Sequence, residues 1–214
     1  MFAAQKITDA VGNLDEGLVY HMLDELMAAG GNNAQEAMEA CQSGMKLVGD
    51  RFEKGEYFLG DLILAGEIME NAVQRLKSAL VANKNESAGK LILCTVHGDL
   101  HDIGKNIVRS FLEAGGFEVL DLGVDTPVKK VVDTAKAENI KIIALSGILT
   151  LAIDSMKDTV DGFIAAGMRN DVKIIVGGSF INEDVCKATG ADAWGWYPQT
   201  SVNKCLEWAK GFAG

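Results

Sequence analysis

Three continuous apolar runs, "KLILC" (Lys90–Cys94), "KIIALS" (Lys141–Ser146) and "VKIIVGG" (Val172–Gly178), constrain the fold of this chain more than any other feature. A strand with one wet face alternates apolar and polar residues. An unbroken apolar strand has both faces covered, as in the centre of a parallel sheet. Segments of helical periodicity separate the runs, which implies right-handed crossovers and a doubly wound α/β sheet. The pattern predicts strands at Leu91–Thr95, Glu118–Asp121, Lys141–Ser146 and Lys173–Val176, with a weaker fifth near Ala193–Trp196. Helices are expected at Gly104–Ala114, Val128–Glu138, Ile153–Ala166, Glu183–Thr189 and Thr200–Phe212.

The first 85 residues carry almost no strand signal. "NLDEGLVYHMLDELMAAGG" sets Leu14, Leu18, Met22, Leu23 and Leu26 on one helical stripe and closes with Gly30-Gly31, a helix stop. "NAQEAMEACQSGMKLVGDRFEKG" and "FLGDLILAGEIMENAVQRLKSALVA" read as two further helices, and Ala3–Val11 as a short opening one. Each has a stripe that it cannot bury alone, so a four-helix bundle is expected. The polar "NKNESAGK" (Asn83–Lys90) marks a linker, dividing the chain into a helical domain, 1–85, and an α/β domain, 86–214.

At 214 residues the chain can bury a core without staples, and its formal charge of −10 argues against nucleic acid or an anionic membrane as partner. Four dispersed cysteines form no CxxC pair, which suits a reducing compartment. "MFAAQKITDAVG" lacks the basic start and apolar core of a signal peptide, and no uninterrupted apolar stretch reaches membrane-spanning length. A cytoplasmic location is expected.

Ligands of open parallel sheets bind beyond the carboxyl ends of the strands, where the strand order switches. The segments following the strands are "VHGDLHDIGKN", "GVDTP", "SGILT" and "GGSF". In a flavodoxin-like order the first, third and fourth strands are neighbours, so His101, Ser146 and Gly177-Gly178 would face one crevice. "DLHDIGKN" has neither GxxxxGK[ST] nor GxGxxG spacing, so it is not a phosphate loop. A metal-dependent phosphohydrolase would need more histidines than this chain offers, since only His21 lies outside the stretch. Two readings stay open. Asp99 or Asp102 caps a helix beside an incidental surface histidine, or Asp99 fixes the tautomer of His101 and frees its other nitrogen as a metal ligand. A lone histidine suffices if a macrocycle already holds the metal.

Asp99-Leu100-His101-Asp102-Ile103-Gly104 resembles the D-x-H-x-x-G signature of cobalamin-binding domains. The longer "GDLHDIGKNIV" is similar to the version in cobalamin-dependent methionine synthase and in methyltransferase corrinoid proteins. "SGILT" matches the family's S-x-L element, "VGG" its paired glycines and "DLGVDTP" its second-strand loop. In the helical half, "GMKLVGDRFEKGEYFL" resembles the family's cap, G-M-x-x-V-G-x-x-F-x-x-G-x-x-F-L. The resemblance covers nearly the whole chain in the expected order.

The resemblance implies a cobalamin or related corrinoid bound base-off and His-on. His101 would be the lower axial cobalt ligand, displacing the cofactor's dimethylbenzimidazole, and Asp99 would hold the other ring nitrogen. Leu100, Asp102, Ile103, Gly104 and Asn106 would complete that loop. Ser146 would line the nucleotide-tail cavity and Gly177 and Gly178 would let the tail pass, with Val124, Leu149, Thr150, Ser179 and Phe180 as walls and Ile148, Trp194 and Gly195 as further cofactor-binding residues. Phe58, Leu59 and Leu62 would belong to a helical cap over the reactive corrin face, with Asn83–Lys90 as its hinge. The family's leucine in S-x-L is Ile148 here, and Ala152 stands where methionine synthase carries a second serine, so Asp99 would be tuned differently.

By the same resemblance the chain would be a methyl carrier, cycling between cob(I)alamin and methylcobalamin and not catalytic alone. Its partners would be a substrate-specific methyltransferase, an acceptor methyltransferase using tetrahydrofolate or a thiol, and a reductive activator of cob(II)alamin. The donor is open among methoxylated aromatics, methylamines, betaines, methanol and methyl thiols, with a lean towards an O-demethylase or quaternary-amine system. Two rivals share the histidine motif. A small subunit of an adenosylcobalamin mutase would carry a barrel rather than a cap over the corrin, and a cobalamin-sensing regulator would need an output segment.

Overall fold

The structure, a computed structural model, describes residues 4–80 and 87–212. They fall in two units, Met1–Glu86 and Ser87–Gly214. Residues 83–86 of the expected linker and hinge lie outside the described residues.

The first unit contains helices α1 (Ala4–Gly12), α2 (Glu16–Ala28), α3 (Ala34–Glu53) and α4 (Leu59–Leu80). Local chemistry sets two of their starts. The Asp15 carboxylate accepts the Leu18 N–H at 3.1 Å at the head of α2. At the head of α4, Asp61 reaches back to accept the Phe58 N–H at 2.7 Å, as in one half of a capping box. The expected stripe of α2 needs correction. Leu14 precedes the helix with φ of 59° and Leu18 is 42% exposed. Val19 and Leu23 are the buried residues, with Met22 and Leu26 half-buried beside them. Beginning at Glu16 rather than earlier, α2 turns Leu18 to the outer face, since positions three and four apart share a side.

Helices α1 and α3 cross closely at Gly44, where a Cβ would stand 2.5 Å from that of Val11 and 2.9 Å from the Thr8 carbonyl oxygen. Nearby, the Thr8 hydroxyl donates to the Ala40 carbonyl at 3.0 Å.

The second unit is a five-stranded, all-parallel sheet of β1 (Gly89–Thr95), β2 (Phe117–Asp121), β3 (Ile142–Ser146), β4 (Lys173–Gly177) and β5 (Ala193–Gly195), in the order β2-β1-β3-β4-β5. Between and after them run α5 (Ile103–Ala114), α6 (Val128–Ala137), α7 (Ala152–Ala165), α8 (Glu183–Thr189) and α9 (Pro198–Phe212). Every expected strand and helix is present, with ends shifted by one or two residues. The largest gain is at β1: Gly89 and Lys90, read as linker, pair with Phe117 and Glu118 of β2.

The apolar runs are covered on both faces. Ile92, Cys94, Ile143, Leu145, Ile174 and Val176 pack with Val131, Val132, Met156, Val160 and Phe163 of α6 and α7. By alternation, Leu91, Leu93, Ile142, Ala144 and Ile175 face the opposite layer, formed by α5 and α9. All four cysteines are buried and unpaired, and burial pushes the thiols of Cys41, Cys94 and Cys205 up to about 12, beyond any role as thiolates at neutral pH. No helix among the described residues is long and apolar enough to cross a membrane.

Gly44→Ala forces α1 and α3 apart and lowers stability by about 1–3 kcal/mol, read as a reduced urea midpoint. Gly60→Ala, where a Cβ meets nothing within 4 Å, leaves the midpoint equal or slightly raised.

Candidate functional site

The strand order reverses between β1 and β3, and the segments that leave these strands meet at one residue, Asp99. The main chain turns directly after β1: the Asp99 N–H donates to the Val96 carbonyl at 3.1 Å, and Val96 itself donates to Ser146 at the end of β3. Asp99 is 0% exposed. A buried carboxylate without partners costs several kcal/mol, and this one is fully served. Its Oδ1 accepts the His101 N–H at 3.0 Å and the His101 Nδ1 at 2.8 Å. Its Oδ2 accepts the N–H groups of Ile148 and Leu149, at 2.7 and 3.2 Å.

These bonds show Asp99 holding the His101 ring rather than capping the helix. Asp99 does not cap α5, and Asp102, at the N-cap position, makes no side-chain capping bond. Asp102 instead accepts from the Asn106 side chain at 3.2 Å. An ionised carboxylate can only accept, so the proton of His101 sits on Nδ1 and the lone pair on Nε2. The His101 side chain is 53% exposed. The site therefore presents one imidazole nitrogen outward with its tautomer held from below, the arrangement of a metal-binding histidine. Among the described residues no group of three or more His, Cys, Asp or Glu side chains could hold a metal ion. Ala152 is buried and offers Asp99 no hydroxyl, and the backbone N–H groups of Ile148 and Leu149 serve its Oδ2.

The other expected residues divide into three groups. Leu100, Ile103, Val124, Leu149 and Phe180 are exposed apolar side chains on the segments that follow the strands, and Asp102, Gly104, Asn106, Thr150 and Ser179 are also exposed. Ser146, Ile148, Gly177 and Trp194 are half-buried, with Trp194 packed partly against the core and edge-on to Trp196 at 6.2 Å between ring centroids. Two glycines have reasons internal to the fold. Gly178 adopts φ of 144°, and a Cβ there would stand 1.9 Å from the Gly147 carbonyl oxygen, so only glycine lets the segments after β3 and β4 touch. A Cβ on Gly195 would meet the Ser201 Oγ of α9 at 1.9 Å.

In the helical unit Phe58 is 71% exposed and Leu59 is also exposed, but Leu62 is 1% exposed and belongs to the bundle core. The reason is helical phase. Leu62 lies on the face of α4 that also buries Ala65, Ile68, Met69 and Ala72.

Sequence reasoning missed two features near Asp99. Lys105, read only as a turn residue, is buried and paired with Asp121 at the end of β2, and Asp121 also accepts the Gly123 N–H at 2.8 Å. His97, read as incidental, pairs with Asp125 at 2.7 Å. The lysine inside an otherwise apolar face of α5 was the available signal for the first. The second joins positions far apart in sequence and left none.

Burial pushes the Asp99 carboxyl up, but the bonds from the His101 N–H, the Ile148 N–H, the His101 ring and the Leu149 N–H outweigh it and hold the group below the usual carboxylate range. A depressed native value means the contribution to stability is complete above the unfolded value of about 4 and lost as pH falls through the native value. Asp99→Asn is therefore less stable than wild type at pH 7. The gap, followed as denaturation midpoints towards pH 2, narrows as the wild-type carboxylate protonates.

Comparisons with known proteins identify the family. Residues 89–202 and 3–77 each match a family model described as a B12 binding domain. Trimethylamine corrinoid protein 1 of Methanosarcina acetivorans is 35% identical over 89% of this chain and 89% of its own. The crystal structure of a cobalamin-binding protein from Desulfitobacterium hafniense DCB-2 has a TM-score of 0.84 and 48% identity, covering 97% of this chain and 99% of that one. The Methanosarcina barkeri monomethylamine corrinoid protein has a TM-score of 0.54 and 33% identity, covering 95% and 96%. The exposed imidazole with its held tautomer, the apolar rim and the close approach at Gly178 all fit a corrinoid, and the chain belongs to the family of B12-binding corrinoid proteins.

Proposed function

We propose that this chain is a corrinoid methyl carrier, which accepts a methyl group with the help of a substrate-specific methyltransferase and yields it to a second methyltransferase acting on tetrahydrofolate or a thiol. It catalyses neither transfer alone. The observation that carries this reading is the outward His101 ring, fixed by buried Asp99 at the switch point of the sheet. When bound, the corrinoid supplies the cobalt centre to which a methyl group can be attached and from which it can leave.

The chain's own residues supply position and electrostatics. His101 Nε2 would hold the cobalt in place of the cofactor's dimethylbenzimidazole. Asp99 Oδ1 keeps the proton on Nδ1, which leaves the Nε2 lone pair free to bind and fixes the direction in which it points. Ser146, Ile148, Thr150, Gly177, Gly178 and Ser179 line the path of the nucleotide tail. Leu100, Ile103, Val124, Leu149 and Phe180 give up contact with water as the macrocycle seats, worth roughly 25 cal/mol per Å² of apolar surface covered. Asp102, Gly104, Asn106, Trp194 and Gly195 shape the rim. Phe58 and Leu59, near the start of α4, are exposed apolar side chains of the helical unit.

A methylated amine is the favoured donor class. Two of the three relatives described above are a trimethylamine and a monomethylamine corrinoid protein, which supports the amine side of the sequence's lean over its O-demethylase side. A trimethylamine and a monomethylamine protein are similar to this chain to nearly the same degree, 35% and 33%, so discrimination by degree of methylation rests with the partner enzyme. A reductive activator completes the set of partners. Four buried, unpaired cysteines suit work in a reducing cytoplasm.

The apoprotein takes up hydroxocobalamin with 1:1 stoichiometry, and His101→Ala weakens uptake by about tenfold or more, measured by spectrophotometric titration. Once methylated, the protein passes its methyl group to an acceptor only when a partner methyltransferase is added. Transfer without the partner contradicts the carrier reading.

A further inference from the structure

Beside the Asp99–His101 pair stands a second histidine–carboxylate pair with no part in the proposed cofactor contacts. The Asp125 Oδ1 lies 2.7 Å from His97 Nδ1 and accepts the Gly98 N–H at 2.7 Å. The main chain of Asp125 works on the same turn. Its N–H donates to the Asp99 carbonyl oxygen at 3.0 Å and to the Thr95 hydroxyl at 2.9 Å, and that hydroxyl donates in turn to the Asp99 carbonyl. One residue of the β2–α6 connection thus grips each of Thr95, His97, Gly98 and Asp99.

We propose that Asp125 is a positioning residue: it clamps the turn between β1 and His101, so that Asp99 stays buried beneath the imidazole before any cofactor arrives. The role of the clamp in binding rests on His101 being the axial ligand; the clamp itself is a property of the free chain.

The parts of the clamp differ in weight. Both side chains of the His97–Asp125 pair are largely exposed, so their attraction is screened and contributes little. The backbone N–H of Gly98 is the main contact. It is also the first cause that holds the Asp125 carboxyl below the usual carboxylate range, ahead of partial burial, which opposes it, and of the His97 bond, which assists. Asp125 itself has φ of 48°, a left-handed conformation that asparagine and glycine accept and most residues resist.

That conformation provides a clean test. Asp125→Gly keeps the backbone geometry and its two N–H bonds while removing only the carboxylate. Asp125→Asn restores an oxygen acceptor for Gly98. In the apoprotein, Asp125→Gly is expected to speed amide hydrogen exchange at Gly98 and at His101 by about tenfold, the loss of one charge-assisted bond, and Asp125→Asn to return both to within about threefold of wild type. With hydroxocobalamin bound, Asp125→Gly releases the corrinoid several-fold faster, and His97→Gln has the smaller effect. If His101 exchange and corrinoid release match wild type in Asp125→Gly, the clamp does not position the ligand and the proposal is overturned. Failure of the ligand reading looks different: His101→Ala would then bind the corrinoid with an unchanged spectrum, while the apoprotein exchange would still report the clamp.

Discussion

A single buried carboxylate organises the functional end of the sheet. Asp99 carries a charge into a position with no solvent contact, and that charge is tolerable only because four donors converge on it. Two of them come from His101 and two from the turn after β3. The same bonds that make the charge tolerable fix the angle and tautomer of the histidine and tie together two segments about 50 residues apart in sequence. Stability and the geometry of the histidine therefore share one cause.

The sheet determines where that convergence can happen. Parallel strands send all their carboxyl ends to one edge, and the order β2-β1-β3-β4-β5 opens a crevice where β1 and β3 part. The segments after β3 and β4 can then approach until the Gly178 position leaves no room for a side chain. The connection after β2 approaches from the other side, bringing Asp121 to Lys105 and Asp125 to the turn before Asp99. A long planar cofactor with a trailing nucleotide suits this edge, which offers a wide apolar rim and a single fixed nitrogen.

Much of this was legible in the sequence because it is written in local patterns. Unbroken apolar runs identify central parallel strands, and the i to i+2 spacing of Asp99 and His101 suffices for one carboxylate oxygen to reach both the N–H and the ring of the histidine. What was not legible depends on contacts through space or on the phase of a helix. The backbone N–H groups of Ile148 and Leu149 have no sequence signature, yet they supply both donors to Asp99 Oδ2. Asp125 lies 26 residues beyond Asp99 and reaches it only because β1 and β2 are paired. Leu62 and Leu18 carry residue types that fit either face of a helix. Neighbouring contacts, not composition, turned the first inward and the second outward.

The account stands or falls on the atom that binds cobalt beneath the corrin. Electron paramagnetic resonance of the cob(II)alamin-loaded protein, with histidine labelled with nitrogen-15, tests this directly. Coordination by His101 Nε2 turns each triplet of nitrogen superhyperfine structure into a doublet, because the ligand nitrogen then has spin one half. Triplets that persist in the labelled protein would mean that the cofactor's own unlabelled base remains bound, and would contradict the role assigned to His101 and Asp99.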